Sequence, residues 1–183
     1  MPKPLVPLGG RPLVAHALAA ARDSGLEPVL AVVSDPAVAA AAGAVGGVEV
    51  VWNRDPGAGI SSSLRAALGA LGPRGHVAAA VVGLGDQPLV GPAAYRRVAA
   101  AYDDGARLAV ATYGGVRGNP VLVARDHWPE AMGLTGDEGA RVLLRRHGAV
   151  EVPCDGTGEP TDVDTPADLA AVEARWRSPT ASE

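Results

Sequence analysis

Val77-Ala78-Ala79-Ala80-Val81-Val82-Gly83-Leu84-Gly85-Asp86-Gln87-Pro88 is the most apolar stretch of the chain, and it runs without a break into turn formers and a carboxylate. An uncharged run of this length reads as a strand buried on both faces, as in a mostly parallel sheet covered by helices. Working outward, the same alternation continues in both directions. Gly91-Pro92 opens a helix to about Asp103 on one side. On the other, Pro12 to Ser24 reads as a helix closed by Gly25, Pro28 to Val33 as a strand and Val48 to Trp52 as another. The loop from Asn53 to Ile60 is built of turn formers and leads into a helix near Ser61. Leu108 to Thr112 and Pro120 to Val123 are expected strands around an exposed glycine-rich connection, Tyr113 to Asn119. Glu138 to His147 reads as a helix, Val150 to Val152 as a strand and Pro166 to Trp176 as the last helix, with Thr165 its N-cap and Asp168 the matching acid. Strands alternating with helices define the α/β class.

The chain of 183 residues suits one domain, taken here as residues 1–177, with 178–183 expected to be a disordered tail. With no Phe and only three Trp and three Tyr, the core must be made of small aliphatic side chains. A net charge of -4 with scattered Lys and Arg offers no stripe for nucleic acid. The single cysteine, Cys154, excludes an internal disulfide and a thiolate zinc cluster and suits a reducing compartment. With no apolar segment of signal or membrane-spanning length in view, the sequence reads as cytoplasmic, with no membrane partner.

Ligands of an open parallel sheet bind beyond the carboxyl ends of its strands. Asp86 stands at such an exit, where it is either part of a Gly-Asp turn or a ligand for a hard cation shared with phosphates. Asp162 and Asp164 precede a helix N-terminus and read either as capping acids or as the second half of a cation site. Gly59-Ile60-Ser61-Ser62-Ser63-Leu64 puts three hydroxyls at a helix start, more than an N-cap needs, in a geometry suited to phosphate, ribose or base edges. His16, His76, His127 and His147 lie at no metal-ligand spacing and are assigned structural or surface roles. Trp52, Trp128, Trp176 and Tyr113 are expected to pack, and Cys154 lacks an adjacent base.

Taken in order, the segments Pro2 to Leu13, Asn53 with Gly59 to Leu64, Leu84 to Val90, Arg117 to Leu122, Gly136 to Leu144 and Asp162 to Leu169 resemble the MobA-like nucleotidyltransferases, most of all the molybdenum cofactor cytidylyltransferase branch. The resemblance implies a Rossmann-like three-layer α/β/α fold and magnesium-dependent transfer of a nucleoside monophosphate, CMP from CTP, to a phosphorylated acceptor, molybdopterin, with release of pyrophosphate. It implies that Asp86 and Asp164 hold Mg2+, that Asp162 supports them, and that Lys3 neutralises the phosphates. Asn53, Gly59, Ser61, Ser62, Ser63 and Gln87 would face the nucleotide. Arg117, Gly118, Asn119, Asp137 and Arg141 would line the acceptor side, and a molybdoenzyme or its chaperone would be a partner. Asn119 replaces the histidine usual in the family's Arg-Gly-His-Pro segment. The family's opening strand and glycine-rich loop, expected just ahead of Lys3, are not in this sequence. The expectation is therefore that Met1 is not the natural start or that the chain is a defective copy, poorly stable or self-associating and feebly active. Alternatives are a same-fold transferase with another triphosphate and acceptor, and a nucleotide binder without turnover.

Overall fold

The computed structural model describes residues 1–177; the expected tail, 178–183, lies outside them. Strand β3 (Val29–Val33) pairs in parallel with β4 (Val48–Trp52). A second sheet has the order β5-β7-β6-β8, from β5 (Ala79–Val82), β6 (Leu108–Tyr113), β7 (Val116–Ala124) and β8 (Val150–Pro153). β5, β6 and β8 run the same way, and β7 alone runs against them. The exception comes from a tight turn at Gly114-Gly115, where φ is +56° and +77°. The expected connection is shortened to this turn, because Val116 to Asn119 already belong to β7; Gly114 to Arg117 are exposed as expected, whereas Asn119 is buried.

The strands separate two cores by their two-residue period. Leu108, Val110, Val121 and Val123 face helices α3 (Ile60–Leu71), α5 (Trp128–Met132) and α6 (Ala140–His147). Ala109, Ala111 and Leu122 face α4 (Pro92–Asp103), where the small side chains let a helix lie close. α1 (Leu13–Asp23) and α2 (Pro36–Gly43) cover β3 and β4. α2 was not expected; Asp35 caps it by accepting from the amides of Ala37 and Val38.

A further unexpected element is the hairpin of β1 (Pro7–Leu8) and β2 (Arg11–Pro12), turned by Gly9-Gly10 at φ +57° and +81°. Gly9 is required here, since a Cβ on it would lie 2.2 Å from the ring of Trp176 on α7 (Pro166–Arg177). α7 starts as expected, with Thr165 and Asp168 exchanging hydrogen bonds in a capping box. Leu8, Leu13, Val163 and Val172 pack together and fasten the N-terminal segment to the chain around α7.

Among the described residues β3 pairs only with β4, and β5 only with β7. Both therefore present an unpaired backbone edge to the space between the two sheets. That space is the inner part of a cavity of about 1280 Å³, lined by β3, β5 and apolar side chains of α1, α3 and α4. No described helix is long and apolar enough to cross a membrane.

Candidate active site

Where this cavity opens beyond the carboxyl end of β5, its wall becomes polar, with Lys3, Ser63, Asp86, Asp137, Arg141 and Asp164 among its residues. Asp86 is placed by the strand that precedes it. Asp164 reaches it from far along the chain because the amide of Val163 donates to the carbonyl of Asp86 at 3.1 Å. Lys3, in a short 3-10 turn just ahead of the packed Leu8 and Leu13, inserts its ammonium between the two acids, 2.6 Å from Asp86 Oδ2 and 2.5 Å from Asp164 Oδ1. Its partial burial lowers its pKa, but the hydrogen bonds to Asp164 and Asp86 outweigh this and leave it above the ordinary lysine value.

The donor set fits a hard divalent cation on one direct observation. Two carboxylate oxygens already converge on a single positive centre, the Lys3 ammonium, which stands in for one. Asp162 also borders the cavity. Its carboxylate accepts from Gln87 Nε2 at 2.8 Å, and the same amide donates to the carbonyl of Pro160. Gln87 is only 3% exposed. Its NH2 is committed to the acid-bearing segment rather than presented to a base, which differs from the expected nucleotide contact.

The serine loop divides similarly. Asn53 donates to Ser62 Oγ and Ser63 Oγ at 2.8 and 3.0 Å, and Ser62 and Ser61 donate back to the carbonyls of Gly59 and Ala58. Asn53, Ser61 and Ser62 are buried and do not line the cavity, while Ser63 does. Gly59 has φ +81°, and a Cβ there would lie 2.3 Å from the backbone of Gly136, so only glycine lets the two loops touch. The contact is closed by Ser61 N–H on the carbonyl of Gly136, at 3.1 Å. It holds Asp137 at the mouth of the cavity. Asn53, Gly59, Ser61 and Ser62 thus build the loop whose cavity-lining members are Ile60 and Ser63.

Of the residues expected on the acceptor side, Asn119, Asp137 and Arg141 line the cavity. Asn119 is 6% exposed and its Nδ2 has no hydrogen-bond partner. Arg117 does not line it; its guanidinium is paired with Glu151 of β8 at 2.8 Å. Gly118 packs on Pro160 instead. Both residues differ in placement from the expected acceptor contacts, because they lie on the part of β7 whose side chains turn to Glu151 and Pro160 rather than into the cavity. Trp128 is buried, as expected of a packing residue, but Trp52 is 49% exposed.

The histidines depart from expectation as well. His127 and His147 meet beside Glu130, their donor atoms and one carboxylate oxygen all within 4.8 Å of one another. Nothing in their spacing along the chain signals this, since α6 brings His147 back across the sequence gap.

The model of the MobA-like NTP transferase domain matches residues 1–152. The chain is 38% identical over 91 residues to a 3-deoxy-manno-octulosonate cytidylyltransferase of Methylobacterium sp. (strain 4-46), a match that spans 50% of this chain and 36% of that protein's length. The crystal structure of Rv0371c from Mycobacterium tuberculosis H37Rv superposes with a TM-score of 0.80 at 32% identity, covering 95% of this chain and 89% of that one. A manganese complex of Rv0371c superposes with a TM-score of 0.77 at 31% identity, covering 94% and 91%.

Proposed function

The chain belongs to the MobA-like NTP transferase domain family, and from that membership we propose that it transfers a nucleoside monophosphate, CMP from CTP, to an anionic small-molecule acceptor and releases pyrophosphate. The observation that carries this reading is the convergence of Asp86 Oδ2 and Asp164 Oδ1 on one cation-sized point, at 2.6 and 2.5 Å from Lys3 Nζ, at the mouth of the cavity.

In the reaction an acceptor oxygen bonds to the α-phosphorus, a hydroxyl acceptor giving its proton to solvent, the bond from that phosphorus to the bridging oxygen breaks, and pyrophosphate carries the electron pair away. Charge grows on the equatorial oxygens and the leaving group, so fixed positive charge serves better than a covalent nucleophile. Asp86 and Asp164 would hold Mg2+, with Asp162 kept in line by Gln87. A bound divalent cation supplies charge neutralisation and a template for the phosphates. Lys3 neutralises phosphate oxygens with a mobile ammonium. Ser63 offers a hydroxyl to the nucleotide, while Asn119 Nδ2 and the Arg141 guanidinium give the acceptor a neutral and a charged donor.

The name of the curated relative, a cytidylyltransferase acting on an octulosonate, supports CTP and favours a sugar acid over the molybdopterin expected from sequence. Neither the cytidylyltransferase nor Rv0371c points, by name, to a molybdoenzyme or chaperone as partner. A second reading, nucleotide binding without turnover, is favoured by the open slot between β3 and β5. Pyrophosphate release with Mg2+, measured for CTP and GTP against 3-deoxy-manno-octulosonate and molybdopterin, decides among these. The expected result is faster release from CTP, lost in Asp86→Asn and Asp164→Asn, by roughly a thousandfold or more for a site that needs its cation. Faster release from GTP would reassign the nucleotide, and near-normal turnover in Asp86→Asn would overturn the site.

A further inference from the structure

At the start of α5 the chain places His127 and Glu130 one turn apart, and the last residue of α6, His147, returns to them. His147 Nε2 lies 2.6 Å from Glu130 Oε2, and the two imidazole rings have centroids 5.0 Å apart at 49°. The rings border a shallow cavity of about 350 Å³ with Arg107, Leu108 and Val150. Leu108 and Val150 begin β6 and β8, which run parallel to β5. The cluster therefore sits at the amino ends of these strands, away from the Asp86 rim at the carboxyl end of β5.

We propose that His127, Glu130 and His147 form a site for one borderline divalent transition metal of the zinc class, clasping α5 to α6. Two imidazole nitrogens and one carboxylate oxygen are a donor set that zinc accepts in four-coordinate geometry, whereas magnesium prefers oxygen. Tetrahedral bonds of about 2.0 to 2.1 Å set ligand atoms about 3.4 Å apart. Donors already within 4.8 Å of one another reach that spacing by small side-chain rotations. Arg146 pairs with Glu130 through Oε1, which leaves Oε2, the atom facing His147, for the metal. His147 is exposed, so a fourth position is open to water. The Asp86 rim offers oxygens alone, so the two ends of the molecule differ in the class of cation they select.

The test uses the full chain carrying Asp86→Asn and Asp164→Asn, which removes the rim as a competing ligand set. Calorimetric titration with Zn2+ should give one equivalent bound, Co2+ should produce the intense visible absorption of a four-coordinate ion, and excess Mg2+ should displace neither. Loss of an outer-shell partner costs about 10 to 100-fold in metal affinity, so His127→Ala, His147→Ala and Glu130→Gln should each weaken Zn2+ binding at least tenfold by that measure. Zn2+ should raise the melting temperature of the parent and not of the variant lacking both histidines. Absence of stoichiometric Zn2+ binding in the parent overturns the site without recourse to variants. So does unchanged binding in the variant lacking both histidines, its fold verified by circular dichroism.

Discussion

At the rim of the cleft, Asp86, Asp162 and Asp164 are held by Val163 N–H, Gln87 and Lys3, side chains and amides drawn from three distant parts of the chain. Deeper in the same cleft, β3 and β5 face one another across apolar space with no backbone partner on their inner edges among the described residues. At the rim each of the three acids has a polar partner in Lys3 or Gln87. The slot is soft because backbone N–H and C=O groups turned toward an apolar wall remain costly until something pairs them. Local tethers thus organise the chemistry, while the sheet that should support it is divided.

The largest effect should come from removing that difference. A Val/Leu-rich strand of roughly five residues, followed by a Gly-x-x-x-Arg-x-Gly loop and fused ahead of Met1, would pair with both edges. At about 0.5 kcal/mol net for each of roughly ten ladder hydrogen bonds this amounts to roughly 5 kcal/mol, or roughly 10 to 20 °C in melting temperature by calorimetry. Turnover should rise with it. No change in either would mean that β3 and β5 close on each other unaided. Next, Lys3→Met should lower turnover by about a hundredfold, the scale of one lost transition-state donor, while thermal unfolding shifts little. A large loss of stability with normal turnover would place Lys3 in the scaffold instead. Gly59→Ala, which drives a methyl group into Gly136, should cost about 1 to 3 kcal/mol in urea unfolding and raise the KM for the nucleotide. Unaltered stability would show that the two loops can part freely. Smallest of all, Glu49→Gln breaks a surface pair with Arg74, neither of which lines the cavity, and its melting curve should overlay that of the parent.

The alternation of strands and helices is legible because a buried strand needs an uninterrupted apolar run and a helix needs caps. Val48–Trp52 and the Thr165–Asp168 capping box emerge as expected. α2 escapes because a helix of Ala and Val shows no polar face to reveal its period, and the β1–β2 hairpin because its strands have two residues each. For the site, acids at strand ends are legible since little else would put a carboxylate there. The amides are not. Gln87 and Asn53 look like ligand contacts in sequence, yet their partners are Asp162 and the serine hydroxyls, a choice that only the folded arrangement makes. His127 and His147 illustrate the same limit, since separation along the chain says nothing of proximity across a helix hairpin.

The ammonium of Lys3 between Asp86 and Asp164 has a consequence for the resting protein. Two bare carboxylates aimed at one point would repel and drift apart, and each arriving substrate would have to gather them again. With lysine as an internal counter-ion the acids stay focused while the cleft is vacant, at the cost that anything positive must compete for the same oxygens. The lysine is tethered and cannot diffuse away, so under the proposed function it would swing from carboxylate to phosphate and back. The rim would thereby be re-armed after each release, much as a latch resets itself.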